Sequence, residues 1–279
     1  MGQIARTRIA AVINLLSFIG MLVVNILATS LPLNNITTGE LSDALPNLFV
    51  PIGFTFSIWS VIWLLLLVYL LAQIRTVFVR GGGVAEPPSQ ASPFSPRVVG
   101  AWFPVNMVLN AGWIFAWHYQ FVGLSVLIMF ALLATLVVMF LRVDRAVATA
   151  REGGVGGGSG RGGFARVPIS VYFGWITIAT IANITAFLVA VNWGGWGVPE
   201  VVWTIIVIAA ALAITLAVLI RHRDNAFSAV AVWAFAGIAA KRISEGTPEG
   251  PAVLLSALLA AAVIVGTAVV LRRRFLPMP

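Results

Sequence analysis

The chain has 279 residues, is 60% hydrophobic and only 9% charged, and has a mean hydropathy of +1.02; soluble domains carry about 25% charge, so that class is excluded. Its formal charge of +8 does not imply a nucleic-acid partner, because the basic residues are scattered over loops and tails and form no single face. The absence of cysteine excludes disulfides, thiolate metal sites and thiol catalysis together.

Eight apolar stretches follow one another at 9–31, 51–74, 98–117, 121–141, 167–191, 201–220, 225–240 and 251–271, and none holds an Asp, Glu, Lys or Arg. A hydrocarbon core needs about 20 helical residues at roughly 1.5 Å rise each. The predicted fold class is therefore all-α, a polytopic transmembrane bundle of eight spans. A charge at mid-membrane costs roughly 3 kcal/mol and is kept mainly for ion, proton or charged-substrate work. Spans free of charge argue against such work here.

Arg6 and Arg8 precede the first span, and Ala28-Thr29-Ser30 resembles a signal-cleavage site. The apolar run is longer than the 7–15 residues or so of a signal core, and Asn14, Phe18, Met21 and Asn25 form a stripe suited to a bundle helix. A retained helix is expected. The outer segment that follows carries Glu40 and Asp43. On the second span Phe56, Trp59 and Trp63 share one helix face by their spacing of three and four. The loop 81–96 is rich in Gly, Pro and Ser, and 151–166 is rich in Gly and Arg; both are predicted to be disordered. The second loop lacks the Lys-Ser/Thr end and the preceding strand of a phosphate cradle.

On the third span Trp102, Asn106, Asn110, Trp113 and Trp117 lie on one face. Pro104 removes a backbone donor and predicts a kink that frees the Gly100 carbonyl. His118 closes this span and reads as a solvated interfacial histidine. On the fifth span Tyr172, Trp175, Ala179, Asn183 and Ala186 recur at helical spacing. The stretch 225–240 is the shortest, but omitting it would put Arg272, Arg273 and Arg274 on the wrong side. With eight spans and a cytoplasmic N-terminus, all of the 17 Lys and Arg except Lys241 and Arg242 fall inside. Both termini are then cytoplasmic, in the plasma (inner) membrane of a prokaryote.

Plainer roles exist for these residues. Trp102, Trp117, Trp193, Trp196 and Trp203 lie near span ends, where an aromatic belt is normal. An Asn inside a bundle often only bonds a neighbouring helix, for about 0.6 kcal/mol. Together, however, the faces pair flat aromatics with amides at mid-span depth. Turned inward, they would line an apolar cavity with a few orienting polar groups. No Ser-His-Asp set, carboxylate pair or metal motif appears, so no catalytic and no metal-ligating residue is expected.

Pro51, Gly53, Phe56 and Trp59 resemble the signature of the TspO/MBR family, the tryptophan-rich sensory proteins related to the translocator protein. Phe54 stands where the family usually has Trp, and Trp63 where it usually has Tyr. Leu109, Asn110 and Trp113 look like its L-N-x-x-W, and Tyr172, Trp175, Ala179 and Asn183 resemble its Y-x-x-W-x-x-F-A-x-x-L-N. The resemblance implies a five-helix core over 1–197, to which 198–279 adds three helices. It also implies a pocket for a porphyrin, another tetrapyrrole or a sterol-like molecule. Phe56, Trp59, Trp63, Asn106, Asn110, Trp113, Tyr172, Trp175 and Asn183 are the candidate ligand-binding residues. Asn110 and Asn183 would orient polar substituents of the ligand. The expected partners are the lipid bilayer and a hydrophobic small molecule, with a homodimer left open. No cofactor is required, a bound tetrapyrrole being the one candidate, and no enzymatic activity is expected. The alternatives are a permease for small neutral or lipophilic solutes and a structural membrane subunit.

Overall fold

The structure, a computed structural model, describes residues 2–31, 33–79, 92–152 and 163–273. Residues 80–91 and 153–162, which hold most of both loops predicted to be disordered, lie outside the described residues, as does Arg274. Among the described residues every regular element is a helix. The elements are α1 (Gln3–Ser30), α2 (Thr38–Asp43), α3 (Ile58–Ile74), α4 (Pro96–Val99), α5 (Trp102–His118), α6 (Val122–Glu152), α7 (Val167–Ala190), α8 (Glu200–His222), α9 (Asn225–Glu245) and α10 (Gly250–Arg273).

Seven of the helical runs are long and apolar enough to cross a membrane, α3 among them together with its flanking turns, as Gly53–Phe78. The stretch 225–240 is among them, because its helix continues through Lys241 and Arg242 to 21 residues. The helix missing from the seven is α5, at 17 residues. That length is at the lower limit for a span, roughly 17–25 residues. The expected kink at Pro104 is not formed. Gly100, with φ +57, breaks the chain first, and α5 begins at Trp102. Pro104 therefore lies in the first helical turn, where backbone N–H groups have no intrahelical acceptor to lose.

Helices α1, α3, α7, α6 and α5 contact one another in that order and close into a ring. Helix α9 packs against α7 from outside the ring, and α8 and α10 cover α9. Gly174 brings α7 and α9 together, since a Cβ there would meet the Phe227 carbonyl oxygen at 2.9 Å. Phe227 and Val230 of α9 join the core of the ring, while Phe49 of the first loop joins the core shared by α8, α9 and α10.

The segment before α3 carries the family-like residues and is not helical from Pro51, as the apolar run suggested. It enters extended and passes through a 3₁₀ turn, Gly53–Ser57. This backbone lies against α9: Ile52 N–H donates to the Gly237 carbonyl at 3.1 Å, and the Trp233 indole donates to the Thr55 carbonyl at 2.9 Å. The Thr55 hydroxyl occupies the space a Gly237 side chain would need. Gly237 is eight residues from the end of α9, or roughly 12 Å along the axis. Non-helical backbone at that depth is tolerated because protein satisfies its polar groups.

The two ends of the bundle differ in charge. At the basic end Asp224, 1% exposed, accepts from the Ser170 hydroxyl, the Phe227 N–H and Arg166 Nε. Arg166 also pairs with Asp144, which binds His222 at 2.9 Å. This network joins α6, α7 and the α8–α9 turn. At the acidic end α2 caps the ring. Its first turn is a capping box, with Thr37 N–H and hydroxyl donating to Glu40 and Glu40 N–H donating back to Thr37. Those donors hold the Glu40 carboxyl below its ordinary value of 4.5. Because the folded value is the lower one, this stabilisation is present above pH 4.5 and is lost as pH falls through the lowered value. Protection of the Thr38–Asp43 amides, relative to their intrinsic exchange rates, is expected to fall as pH drops through the lowered value, and Glu40→Gln is expected to abolish that pH dependence.

Candidate functional site

The amphipathic stripes point inward as their spacing predicts. Asn14, Phe18, Met21 and Asn25 on α1 are buried, as are Asn106, Asn110, Trp113 and Trp117 on α5. Trp102 is 41% exposed, as a membrane-belt residue would be. Trp117 is not a belt residue: it is buried, stacks on Trp113 at 5.7 Å and donates to the Thr38 carbonyl. His118 is not solvated either. It is fully buried beneath α2, with Nδ1 2.8 Å from the Ile114 carbonyl and Nε2 3.4 Å from the Thr38 hydroxyl.

Five of the nine candidate residues meet along the seam between α3 and α7. Trp59 lies at its centre, with ring centroids 5.9 Å from Tyr172, 6.2 Å from Trp63 and 6.3 Å from Trp175. Phe56 presents its edge to Trp175 at 5.8 Å. Such edge and tilted contacts contribute about 0.5–1.5 kcal/mol each beyond area burial. Tyr172 and Trp175 are buried, whereas Phe56, Trp59 and Trp63 are half-buried. The rings touch one another. Cavities of about 450–680 Å³ that described residues line lie elsewhere, between α10 and the basic end of α9 and at the acidic end.

Two polar atoms in this seam lack partners. The indole nitrogens of Trp63 and Trp175 are buried and have no acceptor. A buried donor left unpaired costs about 1–3 kcal/mol, so each such group requires an explanation.

The amides are engaged differently. Asn110 accepts from Asn25 and donates to the Tyr172 hydroxyl, both at 2.9 Å, and so links α1, α5 and α7. Asn183 accepts from the Trp113 indole at 3.2 Å and donates to Ser125 at 2.9 Å, which links α5, α6 and α7. Asn106 joins neither group. It donates to Thr135 and the Leu132 carbonyl on α6, and its own carbonyl oxygen is buried without a donor. Sequence reasoning passed over Gln73, which accepts from Asn14, and Asn25, which had been placed only on a packing stripe. A mid-span amide on α1 facing another on α3 or α5 is the signal that would have found them.

Among the described residues no group of three His, Asp or Glu side chains could hold a metal ion. A family model described as TSPO-like protein matches residues 11–270. Comparison with curated proteins and with solved structures returned no significant match.

Proposed function

This chain belongs to the TSPO-like protein family, and from that premise we propose that it binds a hydrophobic planar ligand, a tetrapyrrole or sterol-like molecule, at the seam between α3 and α7. The unpaired indole N–H groups of Trp63 and Trp175 carry this reading. A ligand that brings carbonyl or other acceptor oxygens would satisfy both donors, while the faces of Trp59, Trp63 and Phe56 cover its ring system. The half-buried rings give access from the lipid side. Seating the ligand separates rings that now touch, so α3 moves relative to α7. Asn110, Asn183 and Trp113 hold the surrounding helices in register, and orienting the ligand falls to the two indoles.

In this reading the basic end faces the cytoplasm, placing both termini there in a prokaryotic inner membrane. The role is binding, linked to sensing or movement of the ligand, without chemistry.

The test is a titration with protoporphyrin in detergent, read from the porphyrin absorbance so that loss of a tryptophan does not disturb the signal. Trp63→Phe and Trp175→Phe are each expected to weaken binding about tenfold, equivalent to one hydrogen bond of roughly 1.4 kcal/mol. The exposed-side control Trp102→Phe is expected to leave binding unchanged. Native affinity in the Trp63→Phe/Trp175→Phe pair would overturn the proposal.

A further inference from the structure

We propose that the acidic end holds a seat for one zwitterionic phospholipid, formed where the first loop, α7, α8 and α9 meet. Two cavities adjoin there. The first, of about 520 Å³, has apolar walls from Phe49, Leu188, Val207, Trp193 and Trp203. The second, of about 680 Å³, is polar and is lined by Asp43, Lys241, Arg242, Glu245 and Glu249. Asn47 and Glu200 line both, so the cavities meet at these two side chains.

The depth of the site suits a lipid headgroup. Trp193, Trp196 and Trp203 form a mutual cluster with centroids 5.2–5.7 Å apart, and Trp196 is 81% exposed. Clustered tryptophans at a span end mark the level of the headgroups. The apolar cavity lies on the membrane side of this level and the polar cavity extends over α9.

The polar groups leave a particular pattern unsatisfied. Lys241 is held by Asp43 at 2.7 Å, and Arg242 Nη2 by Glu245 at 2.9 Å. Arg242 is only 4% exposed, yet its Nε has no acceptor, and the buried Thr247 hydroxyl has no partner either. Glu249 makes no ion pair among the described residues, and Glu200 accepts only the Leu48 N–H, at 2.9 Å. Glu200 begins α8 and Glu249 directly precedes α10, each beside the positive end of a helix dipole.

The buried guanidinium N–H therefore lacks an anionic acceptor, and the two carboxylates lack a cation. A phosphate diester carrying an ammonium group supplies both in one molecule, and its acyl chain fits the Trp-walled cavity. An anionic lipid would bring phosphate against four carboxylates and two cations. A simple cationic amphiphile would leave Arg242 Nε unpaired. The site needs α8 and α9, so it is separate from the α3–α7 seam and stands or falls apart from it.

The experiment uses the full chain in neutral detergent, with native mass spectrometry or calorimetry reading the binding of two short-chain probes. These are dioctanoyl phosphatidylethanolamine and dioctanoyl phosphatidylglycerol, which share tails and phosphate but differ in the ammonium. Phosphatidylethanolamine is expected to bind about tenfold more tightly, the scale of one charge-assisted pair. In Glu200→Gln/Glu249→Gln the preference is expected to vanish, because glutamine retains an acceptor for Leu48 N–H but carries no charge. An unchanged unfolding midpoint checks that the variant is folded. Equal binding of the two probes by the native chain overturns the proposal without need of any variant, as does a preference that survives in the folded double variant.

Discussion

Gly237→Val is expected to be among the most disruptive single substitutions in the protein. The new side chain would occupy the space of the Thr55 hydroxyl, so the segment leading into α3 must move off α9. Two bonds across that contact, Ile52 N–H to Gly237 and the Trp233 indole to Thr55, are lost with it. Overpacking and two unmade hydrogen bonds together cost roughly 2–4 kcal/mol. The unfolding midpoint in detergent reads that loss. The displacement also shifts Phe56 and Trp59, so the proposed site predicts a fall in porphyrin affinity although the mutated residue lies on α9, outside the ring. Gly237→Ala with Thr55→Ala distinguishes this account from a general effect of a larger residue. Removing the Thr55 hydroxyl and methyl makes room for the new Cβ, so the pair is expected to be less destabilised than the sum of its singles, by about 1 kcal/mol. Strict additivity would show that the steric contact does not carry the effect.

Asp224 gives the second large effect. Its carboxylate is buried, caps α9 through the Phe227 N–H, accepts from Ser170 at 2.5 Å and pairs with Arg166 at 3.2 Å. Removing one member of a buried ion pair leaves the other charge uncompensated, at a cost of about 3–5 kcal/mol where no substitute exists. Arg166 keeps Asp144, so the expected loss for Asp224→Asn is smaller, roughly 2–3 kcal/mol. Asp224→Ala also removes the helix cap and is expected to lose about 1 kcal/mol more. Thermal unfolding of the two variants side by side separates charge from cap. Equal midpoints would show that the cap contributes nothing, and a native midpoint in Asp224→Asn would show that the network does not hold α7 to the α8–α9 turn.

The buried face of α5 illustrates what was legible beforehand and what was not. The spacing of four, three and four between Asn106, Asn110, Trp113 and Trp117 places them on one face of any α-helix, and all four are buried. Their partners were not legible. Asn25 and Asn110 are separated by 85 positions, and nothing local marks them as a pair. Asn106 has the same spacing as Asn110, yet faces α6, because the position on the helix circumference that meets each neighbour depends on the crossing of the helices. The buried state of His118 was unreadable for a related reason. A histidine at a span end is ordinarily wet, and only the packing of α2 across that end excludes water.

Composition and periodicity determined the chemistry of this chain's surroundings and the inward faces of its helices. An uncharged run of about 20 residues has a single favourable solvent, and a repeat of about 3.6 residues has a single buried side, whatever the neighbours are. The tertiary structure alone decided that α9 buttresses the tryptophan-bearing segment, that α5 begins at Trp102 so that Pro104 falls in its first turn without a kink, and that the amides of α5 divide between two directions. These outcomes arise from contacts between groups far apart along the chain, whose meeting depends on how whole helices cross, and no local pattern encodes that geometry.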